Sequence, residues 1–312
     1  MIVYKYLDEE GTKNVLDGKS VLLNTPSNFN DSYDSRIYIS KKERQKAFRL
    51  FINYQFFKIF YSESVVNDKQ LILGKLNTKL LKSNLILSAN SIKAKKRYKY
   101  DYNIAFYSKL TEAFVQKRLE DCIKEFNCII DKTLNEIRNA ILISCFSLKN
   151  NSILMWSHYA ASHTGACIEF EVNDDNFKKV KYSSKPVCLK LSKLFEFVFG
   201  HEFTGTELKY TDNVFKFAVK PFLTKYKDWK YEKEVRCGYS INSADSNIYN
   251  SIGKDGKPIK LLKISGTIKA VYLGCKASDS FADEVKEKSR GRPVYIMKSS
   301  DDRYELIEER CM

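Results

Sequence analysis

The sequence predicts an α+β fold, with a central, mostly antiparallel β core and an inserted helical lobe. Two observations predict it. Short β-rich segments gather near the start of the chain and again from 141 onward, whereas 41–140 carries apolar residues at helical spacing. The strands and helices also lack the strict alternation of a doubly wound parallel sheet. The expected organisation is one elaborated domain, with 1–40 plus 141–312 as the β-rich core and 41–140 as the lobe.

The elements follow in order. Residues 2–6 (IVYKY) alternate and read as a strand. TKNVLDG, 12–18, reads as a short helix ending at Gly18, and VLLN, 21–24, as a second strand. TPSNFNDSYD, 25–34, is rich in Asn, Asp, Ser and Pro and reads as a loop. Helical patterns open the lobe at KKERQKAFRLFINYQFFKIFY and close it at 110–141, with a Lys/Asn/Ser-rich stretch between them. Beyond it, strands are expected at 141–147, 165–172, 178–182, 231–240, 259–264, 268–274 and 292–297, and a short helix at 281–290.

Composition narrows the function classes. Hydrophobic residues make up 44% and aromatics 13%, enough to build a core and to exclude wholesale disorder. The formal charge of +15 favours polyanions by long-range attraction and counterion release, although a Lys-rich proteome gives the same excess. The eight cysteines include no C-x-x-C pair, and three histidines complete no zinc pattern, so no metal site is expected. The cysteines read as reduced thiols of a cytoplasmic protein. MIVYKYLDEE has no basic region followed by an apolar core, so no signal peptide is expected, and no apolar run reaches membrane-spanning length.

Four segments could carry chemistry. On a strand at 231–240, Glu232, Glu234 and Arg236 share one face, which suits acid–base work or orientation of hydroxyls, and equally suits a solvated edge. Ser144-Cys145-Phe146-Ser147 ends a strand with hydroxyls that either hold a ligand oxygen or begin a turn. His158 and His163 lie near Trp156 and Tyr159, five residues apart, which misses the i, i+4 geometry of a helical metal pair. His158 is either an acid–base group or a packing histidine. In 26–34, Phe29 anchors a loop while Asn30, Asp31 and Asp34 cap or bind.

Taken together these segments resemble the bacterial domain-of-unknown-function family 2971. The residues that carry the resemblance are Tyr4-Lys5-Tyr6, Pro26 to Asp31 with Asp34, Cys145-Phe146-Ser147, Met155 to Ala160 with His163 and Gly165, and Trp229 to Arg236. Ser32 stands where that family usually has proline and Tyr33 where it often has phenylalanine. The order of segments from 141 to 236 is also similar to mono-ADP-ribosyltransferases. Cys145-Phe146-Ser147 stands at their Ser-Thr-Ser place and Glu232-Lys233-Glu234 at their Glu-x-Glu place, while Lys5 or a flanking Tyr replaces the usual first-strand Arg or His.

That second resemblance implies an ADP-ribosyltransferase-like fold and an enzyme that uses NAD to modify a nucleic acid or protein, in a phage-defence or toxin-type setting. On that reading the candidate catalytic residues are Glu234, Glu232, Ser147 and His158. The candidates for holding the dinucleotide are Tyr4, Lys5, Tyr6, Cys145, Asn30, Asp31, Tyr159 and Arg236. Glu234 would stabilise oxocarbenium character and Glu232 would orient the acceptor. The alternatives are a nucleic-acid-binding or nucleolytic protein, or a non-catalytic sensor or antitoxin on the same fold. The nucleic-acid reading rests on the charge and on Lys93, Lys95, Lys96, Arg97 and Lys99, interleaved with Tyr98 and Tyr100.

Overall fold

The computed structural model describes residues 1–29, 31, 33–62, 112–172, 175–195, 219–253 and 255–311. The chain divides into two compact units. One is built from Met1–Arg36, Arg138–Val187 and Val219–Met312, the other from Ile37–Ile137 and Cys188–Ala218.

The first unit is α+β. Its strands are β1 (Ile2–Leu7), β2 (Ser20–Leu23), β3 (Ile141–Ser147), β4 (Ala166–Glu171), β5 (Phe177–Lys179), β6 (Lys181–Ser183), β7 (Thr224–Tyr226), β8 (Glu234–Ser240), β9 (Ile248–Ile252), β10 (Pro258–Lys263), β11 (Thr267–Leu273), β12 (Val294–Ser299) and β13 (Leu306–Arg310). Eight of them form one sheet in the order β13-β12-β11-β4-β1-β3-β8-β5. Only β11 and β12 pair in parallel within it; the other neighbours are antiparallel. A three-stranded sheet β2-β10-β9 and a two-stranded pair β6-β7 complete the unit.

Period-2 alternation assigns the two faces of the large sheet. Val3, Leu142, Phe146, Val235 and Cys237 point to one side, where Val15 and Leu16 of α1 (Glu9–Gly18) cover them. Tyr6, Cys167, Ala270 and Tyr272 point to the other, against Met155 and Trp156 of α4 (Ile153–Tyr159). Ser152 caps α4 by accepting from the Met155 N–H. Trp156 is fully buried and its indole donates to the Asn150 carbonyl at 2.6 Å, so the ring both fills the core and fixes the β3–α4 loop.

The second unit contains α2 (Lys41–Ser62) and most of α3 (Glu112–Asn139). Phe48, Phe51 and Phe195 gather their rings around Phe126 at 5.0–5.8 Å. Buried Glu43 accepts from both the N–H and the hydroxyl of Ser192. Cys188–Ala218 thus joins the segment expected as the lobe.

Several boundaries differ from expectation. The strand expected at 231–240 begins at Glu234, because Lys227–Glu232 winds into a 3-10 helix that stops at left-handed Lys233 (φ 46°). The strand expected at 178–182 splits at Val180. There the backbone passes from pairing β8 to pairing β7, with Val180 N–H on the Glu234 carbonyl and Lys181 N–H on the Leu223 carbonyl.

Candidate functional site

The registers of β1, β3 and β8 place Tyr4 opposite Ser147 and Ser147 opposite Glu234. Cys145 likewise stands opposite Arg236. Three segments far apart in sequence thus lie side by side on one face of the sheet.

A buried charge network stands at the β8 end of that row. Arg236, 1% exposed, grips both oxygens of Asp34 through Nη2 at 2.8 and 2.6 Å and donates from Nε to Glu234 at 2.7 Å. Its Nη1 donates to the Phe222 carbonyl and the Ser35 hydroxyl. Lys225 of β7 lies 2.6 Å from Glu232, 3.2 Å from Glu234 and 3.4 Å from Asp34. Three buried carboxylates therefore share two buried cations.

The local backbone explains how Glu232 and Glu234 reach the same ammonium. Strand alternation does not run through 232–234, since Glu232 closes a 3-10 turn. The left-handed conformation of Lys233 reverses the chain, turns the lysine outward and starts β8 with Glu234 facing in. The Glu234 N–H donates to the Tyr182 hydroxyl at 2.7 Å. Asp31 builds the turn that delivers Asp34: its carboxylate accepts from Tyr33 N–H and its carbonyl from Asp34 N–H. Phe29 lies under the Arg236 guanidinium, 5.4 Å from ring centre to Cζ, as an anchor of the loop.

The two glutamates have opposite electrostatics. Burial alone would raise Glu234, but the Arg236 and Lys225 charges beside it, with hydrogen bonds from Arg236 and the Cys145 thiol, hold it down to about 2. Glu232 is pushed up instead, by burial and by the neighbouring Glu234 charge, which outweigh Lys225. Lys225 is held firmly protonated: burial opposes its charge, and the three carboxylates overcome that. Adjacent carboxylates whose acidities are driven apart are the pattern that separates an acid–base group from a fixed charge.

Glu232 accepts from the Tyr159 hydroxyl at 2.7 Å, and Tyr159 is half-buried. His158 is exposed and pairs through Nδ1 with the Tyr231 hydroxyl at 3.0 Å. Half-buried Trp229 lies against Lys225, 4.9 Å from its Nζ to the ring centre. Ser147 is fully buried; it donates to the Glu232 carbonyl and accepts from Lys149 N–H, so its hydroxyl holds backbone rather than a ligand. Lys5 donates to the Cys145 carbonyl at 2.7 Å and to the Ser144 hydroxyl, over the Phe146 ring, so its ammonium is committed inside the sheet. Burial lowers its basicity. The Tyr6 hydroxyl donates to the Lys149 carbonyl. Tyr4 meets Tyr272 edge-on, and burial together with Glu169 pushes its phenol up to about 12. Asn30 and the basic set Lys93, Lys95, Lys96, Arg97 and Lys99 lie outside the described residues.

Lys225 and Ser35 escape sequence reasoning. A lysine in a chain of 53 Lys and Arg residues gives no signal of burial, and three-residue β7 shows no period. Among the described residues, no group of three or more His, Cys, Asp or Glu is arranged to hold a metal ion, and no helix is long and apolar enough to cross a membrane.

No curated protein and no solved structure matches the chain. A family model does match, over residues 155–237, from Met155 of α4 through the Glu232–Arg236 network to Cys237. Over that segment the chain is similar to the family described as protein of unknown function (DUF2971).

Proposed function

We propose that the chain is an ADP-ribosyltransferase-like enzyme that takes NAD as substrate and transfers its ADP-ribosyl group to a macromolecule. One observation carries the reading: Glu232 and Glu234 share the Lys225 ammonium while their acidities are driven in opposite directions. NAD supplies a glycosidic bond whose cleavage builds positive charge on the ribose. Glu232 is the base, because a carboxylate with raised pKa takes a proton from an acceptor hydroxyl or amine more readily near neutral pH. Tyr159 orients it. Glu234 is a positioning residue, since Arg236, Lys225 and Cys145 already engage its carboxylate. It keeps Lys225 charged against Glu232. Half-buried Trp229 and Tyr231 next to the network suit the flat nicotinamide ring. Lys5 is committed to Cys145 and Ser144, so a flanking tyrosine is the better candidate for the first-strand role.

The test is transfer of label from adenylate-labelled NAD to lysate, with protein and nucleic-acid fractions separated. Glu232→Gln should lower transfer by about 100-fold or more, the usual contribution of a positioned base, with unchanged circular dichroism. Equal transfer by wild type and a folded Glu232→Gln variant rejects the assignment. The closed bonding of Arg236 and Glu234 supports a second reading, a non-catalytic sensor on the same fold. That reading expects no label transfer and no release of nicotinamide by the wild type.

A further inference from the structure

We infer that the turn carrying Glu232 is also a binding surface for single-stranded nucleic acid. A 3-10 helix has about three residues per turn, so side chains at i and i+3 eclipse. Along Lys227–Glu232 this puts Lys227 and Lys230 on one edge, and Lys233 caps the same turn. Trp229 and Glu232 occupy another edge, which faces Lys225. The basic edge is entirely exposed. A fourth exposed lysine, Lys149, joins it, because Leu148 N–H bonds the Lys233 carbonyl and brings the end of β3 alongside. None of these four lysines makes an ion pair among the described residues. Lys225, by contrast, is neutralised by its carboxylates.

Charge alone would suit any polyanion, but spacing and aromatics select among them. Successive lysines on the edge rise by about 6 Å, an interval that suits consecutive phosphates of an extended single strand. Tyr226, 43% exposed, precedes the stripe. A base stacks on such a ring while lysines follow the backbone. An acidic protein would use the lysines and leave the ring idle. Exposed Asp228 lies on the third edge with Tyr231 and does not break the stripe.

The test is anisotropy of labelled oligothymidylate across a salt series, without NAD, so that its outcome is separate from that of the Glu232 chemistry. Wild type should bind with a steep salt dependence. Replacing Lys227, Lys230 and Lys233 together by Gln should make the slope of log affinity against log salt shallower by about 2, at roughly 0.7 per phosphate contact on a single strand. Tyr226→Ala should weaken binding about tenfold at every salt concentration, from lost stacking. Failure of wild type to bind at low salt, or identical slopes for wild type and the triple variant, overturns the proposal. Polyglutamate competing as well as oligothymidylate makes an acidic protein the occupant instead, and tighter binding to duplex removes the single-strand assignment.

Discussion

At the scale of single residues, Arg236 decides whether the cluster holds. All three of its nitrogens donate, to Asp34, Glu234, Ser35 and the Phe222 carbonyl. Lysine carries the charge but has one nitrogen in place of the planar fork, so it leaves some of these four partners without a donor. Arg236→Lys should therefore cost about 1–3 kcal/mol, the range for leaving a buried hydrogen-bonding group without its partner, read as a lower midpoint in urea. A midpoint within error of wild type would mean that the network adds nothing to stability. Glu234→Gln removes the carboxylate that both Arg236 and Lys225 engage, so it is also expected to destabilise, whereas Glu232 meets Lys225 alone of the two, which makes Glu232→Gln the cleaner test of chemistry. The pH dependence has a definite sign. Glu234 ordinarily titrates near 4.5 and is held near 2 in the fold. Its contribution is fully present above about 4.5 and is lost as pH falls toward 2. Glu232 works the other way, since a raised folded pKa favours the fold on the acid side. Acid unfolding of wild type should therefore steepen below pH about 4, and a folded Glu234→Gln variant should lack that component.

At the scale of elements, the turn between α4 and β4 shows what the sequence carried and what it concealed. Gly165 was legible as part of a motif, but its reason is visible only in three dimensions. A Cβ there would lie 2.1 Å from the Leu7 carbonyl oxygen, and one on Gly274 would lie 2.0 Å from that of His163. The N–H of Gly274 meets the Gly165 carbonyl at 2.9 Å, so two backbones pass at a distance that no side chain permits. Before them, Ala161, Ser162 and His163 all have positive φ, a strained run for residues other than glycine. Gly165→Ala should destabilise by about 1–3 kcal/mol or more, because backbone rather than a flexible side chain blocks the Cβ. Thermal denaturation unchanged by this substitution would show that the turn yields freely. Long patterned elements were legible for the converse reason: β3 runs over Ile141–Ser147 as its β-rich apolar run predicts, and α3 ends within two residues of its expected limits. Elements set by tertiary pairing were not. Three-residue β7 exists because β6 pairs with it. β13 is a charged edge strand whose Glu308, Glu309 and Arg310 show little apolar pattern.

At the scale of the whole molecule, the question is why the charge network stands where it does. Tyr4, Ser147 and Glu234 form a row across β1, β3 and β8, and β1 has strands on both sides in the eight-stranded sheet. Buried layers cover both faces there, with Val3 and Phe146 on one and Tyr6 and Trp156 on the other. Backbone so enclosed exchanges its amide hydrogens mainly through global unfolding, whereas edge strands exchange through local opening. β9 is such an edge, paired among the described residues only with β10 and ending at Ile252, which is 76% exposed. Hydrogen exchange should accordingly find β1, β3 and β8 among the slowest segments and β9 among the fastest. Protection of β8 has a further meaning. Glu234 and Arg236 are fixed by that strand, while Glu232 stands one left-handed residue outside it, on the 3-10 turn. A site that holds its charges rigidly and presents its base at the edge of the frame should show slow exchange through Val235–Tyr239 and faster exchange through Lys230–Lys233. Equal rates across that boundary would remove the distinction between a Glu234 fixed by the strand and a Glu232 carried on the turn, and with it the division of roles proposed for the pair.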